Sequence, residues 1–276
     1  MIKLVAEVGI NANGNIDIAK DLIRMSKVAG CDYVKFQKRT IEKVYTKKEL
    51  DKPRDSPWGV TNREQKYGLE FNTPQYIDID DFCKLNKIEW FASPWDIDSV
   101  DFLKALNIPY IKIPSACITD IRILEHAKVS ELPIIISTGM STKEEVDNAV
   151  DFLGDQIEYI LACCSAYPCK AEETKLNMIK ILKQEYPKHK IGYSNHSAGL
   201  TFCIAAAALG TEMIEFHVTL DRSMYGSDQA SSIEPQGVMS LVRHVRDIEK
   251  AFANSFNEYW VIHESEMKIK EKLRKK

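Results

Sequence analysis

The chain has 276 residues, 45% of them hydrophobic and 28% charged, with 12 glycines and 10 prolines. That is enough apolar material for a full core, and it excludes a disordered or fibrous chain. With 37 basic and 40 acidic residues the formal charge is −3, so there is no overall electrostatic case for nucleic acid or a membrane surface as partner.

The longest uncharged stretch, residues 197–211, holds too many small and polar residues to span a bilayer. Met1-Ile2-Lys3-Leu4 runs directly into a strand-like pattern and not into a signal peptide. A soluble, cytoplasmic protein is therefore the expectation. Seven cysteines, none in a Cys-x-x-Cys pair, read as reduced thiols and suggest neither a disulfide framework nor a zinc knuckle.

From the N-terminus onward, short apolar runs fall at residues 4–9, 33–37, 89–93, 110–114, 134–137, 159–164, 191–194 and 213–219. Between them lie stretches of helical period, among them 16–29, 97–106, 143–152, 174–185 and 200–209, with 235–253 closing the series. Strands alternating with helices mean a parallel sheet, and eight such repeats in about 250 residues predict a (β/α)8 TIM barrel over residues 1–255 as a single α/β domain. Two segments break the rhythm. Residues 39–73 form a charged, turn-rich insertion after the second strand, where a barrel loop would cover the mouth, and are expected to act as a lid. Residues 256–276 are expected to form a short charged tail, solvated and helical, since 264–276 carry six basic and three acidic residues.

Side chains alternate along a strand, so one parity faces the helices and the other the barrel interior. In Tyr33-Val34-Lys35-Phe36-Gln37, Val34 and Phe36 suit the helices, which turns Lys35 and Gln37 inward. By the same test Lys112 points inward between Ile111 and Ile113, and Glu215 and His217 point inward beside Ile214 and Phe216. Glu7, Ser93, Ser137, Ser194 and His196 have the matching parity in their own strands or just beyond. Two lysines inside apolar strands are costly to bury unless an anion neutralises them, so a bound phosphate or carboxylate is expected at Lys35 and Lys112. Ser93 and Ser137 could donate to that anion, or could merely cap the helices that follow. His196 and His217, on neighbouring strand ends, could share one divalent ion.

Glu7 lies in Ala6-Glu7-Val8-Gly9-Ile10-Asn11-Ala12-Asn13-Gly14. With Lys35-Phe36-Gln37, Phe91-Ala92-Ser93-Pro94, Ile111-Lys112-Ile113, Ile136-Ser137-Thr138-Gly139-Met140, Cys164-Ser165-Ala166-Tyr167-Pro168, Gly192-Tyr193-Ser194-Asn195-His196 and Glu215-Phe216-His217, this segment resembles the sialic acid (N-acetylneuraminate) synthase family across nearly the whole barrel. The resemblance implies an enzyme that joins C3 of phosphoenolpyruvate to the aldehyde carbon of an open-chain aldose. It would release phosphate and yield a 2-keto-3-deoxy sugar acid for surface polysaccharide or glycan. It also implies a divalent metal on His196 and His217, manganese ahead of magnesium or cobalt. Lys35, Lys112, Ser93, Ser115, Ser137 and Ser194 would hold phosphoenolpyruvate. Glu7 would transfer a proton or orient water, while Gln37, Tyr167 and Asp228 would contact the sugar or the metal shell.

The chain departs from the family pattern at Ala12, Cys117 and Asn195, where histidine, an acidic residue and aspartate are common, and altered sugar contacts are expected there. It ends after the barrel and tail, so the family's C-terminal antifreeze-like domain is not expected. Its substrate contact would fall to the insertion, through Lys52, Arg54 or Arg63, and a homodimer stays open. Two other readings remain. One is a synthase acting on a phosphorylated aldose, of the octulosonate- or heptulosonate-phosphate type, which needs a second inward cluster of Arg or Lys that the sequence does not offer outside the insertion. The other is a barrel that binds phosphoenolpyruvate or sugar without turnover.

Overall fold

The computed structural model describes residues 1–253 and 260–274, so the boundary expected at residue 255 lies outside the described residues. β1 (Lys3–Glu7) leads to α1 (Ile16–Ala29) and β2 (Tyr33–Lys38). α1 begins where the Asn15 side chain accepts from the amides of Asp17 and Ile18, and it buries Ala19, Leu22 and Ile23 at helical spacing. Next come α2 (Ile41–Val44), α3 (Lys47–Leu50), the antiparallel hairpin of β3 (Pro53–Ser56) and β4 (Gly59–Thr61), α4 (Asn62–Leu69) and α5 (Thr73–Asn86). The chain continues through β5 (Glu89–Pro94), α6 (Ile97–Lys104), β6 (Ile111–Ile113), α7 (Ile121–Val129), β7 (Ile134–Ser137), α8 (Lys143–Leu153) and β8 (Ile157–Cys163). It ends with α9 (Met178–Glu185), β9 (Lys190–Asn195), α10 (Thr201–Ala208), β10 (Met213–His217), α11 (Pro235–Phe252) and α12 (Glu264–Leu273).

Eight strands close in the order β1-β10-β9-β8-β7-β6-β5-β2, all paired parallel, so the fold is the (β/α)8 barrel that the apolar runs predict. The helix expected from residue 174 starts later, at Met178, because Lys175 holds a φ of 49° that no α-helix accepts. α12 buries none of its residues, in keeping with a solvated tail. Among the described residues no helix is long and apolar enough to cross a membrane.

The register decides what the interior contains. Tyr33, Phe91, Tyr110 and Tyr159 share the inward parity and meet edge to face, with ring centroids 5.6–6.0 Å apart. They floor the barrel. One step further along β2, β5 and β6 the inward positions turn polar, at Lys35, Ser93 and Lys112, while β8 places Leu161 there. Glu7 is level with Lys35 on β2 and with His217 on β10, while Glu215 is level with Ser194 on β9. The outward parity packs against helices; Phe36, for example, meets Phe71, Tyr76 and Trp90 under α5.

The insertion is built of regular elements. Capping boxes at Thr46/Glu49 and Thr61/Glu64 start α3 and α4. Two contacts moor it over the mouth. Trp58 meets Tyr225 edge to face at 5.5 Å, and Gly14 lies so close to the Gly68 carbonyl that a Cβ would sit 1.9 Å from that oxygen. Gly14 also holds a φ of 63°. Gly14→Ala is thus expected to destabilise the protein by roughly 2–4 kcal/mol, from left-handed strain plus the displaced insertion. Urea unfolding checks this, and a loss below about 0.5 kcal/mol would show that the approach is not needed.

Candidate active site

The polar layer at the C-terminal end of the strands lines a cavity of about 130 Å³. Eleven of the twelve residues expected at the site line it: Glu7, Lys35, Gln37, Ser93, Lys112, Ser115, Ser137, Tyr167, Ser194, His196 and His217. The twelfth, Asp228, lines an adjoining chamber and brings its carboxylate to 3.6 Å from His217 Nδ1.

Lys35 and Lys112 are buried, and each has a carboxylate from the chain itself. Lys35 Nζ lies 2.8 Å from Glu7 and 3.6 Å from Glu215, and Lys112 Nζ lies 2.7 Å from Glu215, which also accepts from Ser194 Oγ. The expectation that a bound anion alone neutralises the two ammonium groups is corrected accordingly, because Glu7 and Glu215 already balance them. Strand parity turns Glu215 inward, yet neither parity nor the resemblance assigns it a role at the site. Its partnership with both lysines requires β10 to lie opposite β6 and just beyond β1 from β2, which no local signal reports.

The two carboxylates are not equivalent. Burial pushes Glu7 above the ordinary carboxylate range, against the pull of Lys35. Burial would raise Glu215 too, but Lys112 and Lys35 overcome it and hold that carboxyl at about 2. Lys35 stays charged because Glu215 and Glu7 outweigh its burial, whereas burial lowers Lys112. A pair driven apart in this way assigns Glu215 as the fixed counter-charge and leaves Glu7 able to carry a proton. Gln37 Nε2 donates to Glu7 Oε1 at 2.6 Å. Gly9, with a φ of 50°, lets the backbone pass there, since a Cβ would lie 2.8 Å from Glu7 Oε1.

Neither serine caps a helix. Asp96 caps α6 and Thr142 caps α8, while Ser93 Oγ accepts from Lys35 at 3.3 Å and Ser137 Oγ is buried with no partner. Ser115 Oγ accepts from the Gly139 amide. Ser93, Ser115 and Ser137 are therefore held facing the cavity.

The imidazoles of His196 and His217 lie 5.3 Å apart between ring centroids. His196 Nδ1 is 2.5 Å from the Cys164 carbonyl, so it carries the proton and leaves the Nε2 lone pair, which accepts from Tyr167 OH at 2.7 Å. His217 Nδ1 is buried without a hydrogen-bond partner, and burial, with only partial relief from Asp228, holds the ring at about 3 and hence neutral. Among the described residues no three His, Cys, Asp or Glu side chains form a closed metal-binding group. Burial would lower His196, but Cys163 and the Cys164 carbonyl overcome it and raise the ring above its ordinary value. Two imidazoles facing one polar cavity, His217 held neutral and His196 through its Nε2 once deprotonated, fit a divalent ion whose other positions are open to water and substrate.

The cavity is completed by Trp95, Cys163 and Ser165, which sequence reasoning did not select. Ala12, Cys117 and Asn195 line neither cavity, and Cys117, pushed up to about 12 by burial, is no acid. Of the insertion's cations, Arg63 is bound to Glu42 and Asp51, while Lys52 and Arg54 line an outer cleft that shares Tyr45 and Lys66 with the chamber at the mouth. The cations of that segment that line the chamber beside the active cavity are Arg39 and Lys66.

A family model, the NeuB family, matches residues 22–256. The chain is 37% identical over 256 residues to N-acetylneuraminate-9-phosphate synthase of Homo sapiens, covering 91% of this chain and 71% of that protein. It is 33% identical over 257 residues to N,N'-diacetyllegionaminic acid synthase of Legionella pneumophila, covering 89% and 72%. The solved structure of N-acetylneuraminic acid synthetase from Leptospira borgpetersenii in complex with citrate matches with a TM-score of 0.84 at 28% identity, over 100% of this chain and 93% of that one. Matched along almost its full length and folded as the same barrel, the chain belongs to the NeuB family.

Proposed function

We propose that the protein condenses phosphoenolpyruvate with an open-chain aldose to give a 2-keto-3-deoxy sugar acid and phosphate, for surface polysaccharide or glycan synthesis. The observation that carries this reading is the single cavity in which two carboxylate-held lysines stand beside two imidazoles. Relatives named for N-acetylneuraminate-9-phosphate and diacetyllegionaminic acid support a nonulosonate-type product. Seven free thiols support a reducing compartment, the cytoplasm.

In this reading Lys35, Lys112, Ser93, Ser115, Ser137 and Ser194 grip the phosphate and carboxylate of phosphoenolpyruvate through charge-assisted hydrogen bonds. C3 of the enol ester attacks the aldehyde carbon, and the aldehyde oxygen takes up a proton. Water adds at C2, and the resulting centre breaks its bond to the phosphate-bearing oxygen, releasing phosphate and leaving the ketone. Glu7 moves a proton at the reacting centre, Gln37 holds Glu7, and Tyr167 and Asp228 orient the sugar. A divalent ion, manganese ahead of magnesium or cobalt, would be held by His196 and His217, and when bound it supplies Lewis acidity toward the aldehyde oxygen.

Incubation with manganese, phosphoenolpyruvate and a panel of aldoses tests the reading. Release of inorganic phosphate that depends on both aldose and metal is expected, with mass spectrometry of the product naming the sugar. Binding of phosphoenolpyruvate without release against any aldose would instead make this a non-catalytic barrel.

A further inference from the structure

Above the catalytic cavity the mouth opens into a second chamber of about 240 Å³, and the two share Gln37, Trp95 and Tyr167. Its outer wall comes from the insertion, which contributes Arg39, Tyr45 and Lys66. The Arg39 guanidinium lies over Trp95, 4.3 Å from the ring centroid, and donates to Gln37 Oε1, while its Nε is buried without a hydrogen-bond partner. Lys66 is half-buried, its ammonium 4.9 Å from the Tyr45 ring centroid, and it makes no ion pair among the described residues. Burial, then Arg39 and Arg54, push Lys66 down to about 8 against a weaker pull from Asp228.

Neither carboxylate of this chamber forms an ion pair with Arg39 or Lys66 among the described residues. Glu70 takes Lys38 at 2.7 Å and the Arg39 amide at 3.1 Å, and Asp228 is turned toward His217. Arg39 and Lys66 line one half-closed chamber and repel each other, and among the described residues Glu70 and Asp228 act on them without forming an ion pair, so an anion placed between the two cations would stabilise them. The catalytic lysines stand in the opposite condition, each already paired.

We propose that Arg39 and Lys66 form a second anion site, which receives a phosphomonoester at the far end of the acceptor aldose. A planar guanidinium and a point-like ammonium match a dianionic, tetrahedral group better than a single carboxylate. The placement rests on the condensation reading in one respect: with the aldehyde end beside the imidazoles, the rest of an extended six-carbon chain passes Gln37 and Tyr167 into this chamber. The inward pair of cations that a phosphorylated acceptor requires is thus present, supplied by the insertion.

Paired acceptors test the site: hexoses and N-acetylhexosamines against their 6-phosphates, at fixed phosphoenolpyruvate and manganese, in the wild type, Lys66→Met and Lys66→Arg. The wild type is expected to favour a 6-phosphate in kcat/KM by about thirty-fold or more, the usual worth of charge-assisted hydrogen bonds. Lys66→Met is expected to lose at least about ten-fold of that preference and Lys66→Arg to keep most of it, read as a ratio so that any general loss of activity cancels. A wild type that favours the unphosphorylated sugar, or a preference that survives Lys66→Met, overturns the proposal. If no acceptor is condensed, the function proposed above fails, and calorimetric titration with mannose 6-phosphate, mannose and inorganic phosphate decides the chamber on its own. Tighter binding of the ester than of mannose, lost in Lys66→Met, supports the site; equal binding overturns it.

Discussion

Replacing Lys112 by methionine is expected to lower kcat/KM for phosphoenolpyruvate by about 10²- to 10³-fold and to destabilise the fold by about 3 kcal/mol. Lys112 is fully buried, and its ammonium is the nearer of the two that balance Glu215. Without it, Glu215 keeps only Lys35 at 3.6 Å and Ser194 Oγ at 3.1 Å, an under-compensated carboxylate inside the barrel. The two losses have different origins, and a double variant separates them. Lys112→Met with Glu215→Gln removes the orphaned charge and should recover much of the stability while leaving the activity low. Urea unfolding and steady-state kinetics on the same preparations make the comparison. A single variant with nearly wild-type kcat/KM would remove Lys112 from the anion site.

The same pair fixes an acid dependence. Glu215 is held at about 2 against an ordinary 4.5, so the stability it contributes is fully present above pH 4.5 and is lost as pH falls toward 2. The double variant lacks that group and should unfold less steeply over this window.

His217→Ala is expected to abolish metal-dependent turnover, a fall of at least about 10³-fold, while the barrel stays folded. The imidazole makes no hydrogen bond through Nδ1, so its removal breaks no buried network and costs mainly packing at the mouth. A readout independent of activity is the rise in Tm on adding manganese to chelator-treated protein. The wild type should show it and the variant should not. Retained turnover, or an unchanged metal-induced shift in His217→Ala, would dissociate this residue from the ion. His196→Ala offers the complementary case, since it also frees Tyr167 from the contact at Nε2.

Much of this architecture is written in short-range patterns. Val34 and Phe36 against Lys35 and Gln37, or Ile111 and Ile113 against Lys112, state which face of a strand is greasy, and eight such runs separated by helical stretches leave few alternatives to a barrel. That is why the inward lysines, Ser93, Ser137 and Ser194, and the two histidines on adjacent strand ends can be selected from parity without any contact being known, whereas Ser115, Tyr167 and Asp228 follow only from the family resemblance. Caps are local too: Asn15, Thr46, Thr61 and Thr142 each start a helix with a side chain that reaches an amide within three residues.

Closing the barrel decided the remainder. Glu215 meets Lys35 and Lys112 only because β10 returns to β1, so the charge balance of the interior is a long-range property that parity cannot report. Which cations of the insertion face inward is set the same way. Trp58 against Tyr225 and Gly14 against Gly68 fix that segment over the mouth, turning Arg39 and Lys66 to the chamber and leaving Lys52 and Arg54 outside it. Alternation along a strand has a period of two and needs no partner to be read; an ion pair across a barrel depends on where two distant segments come to rest.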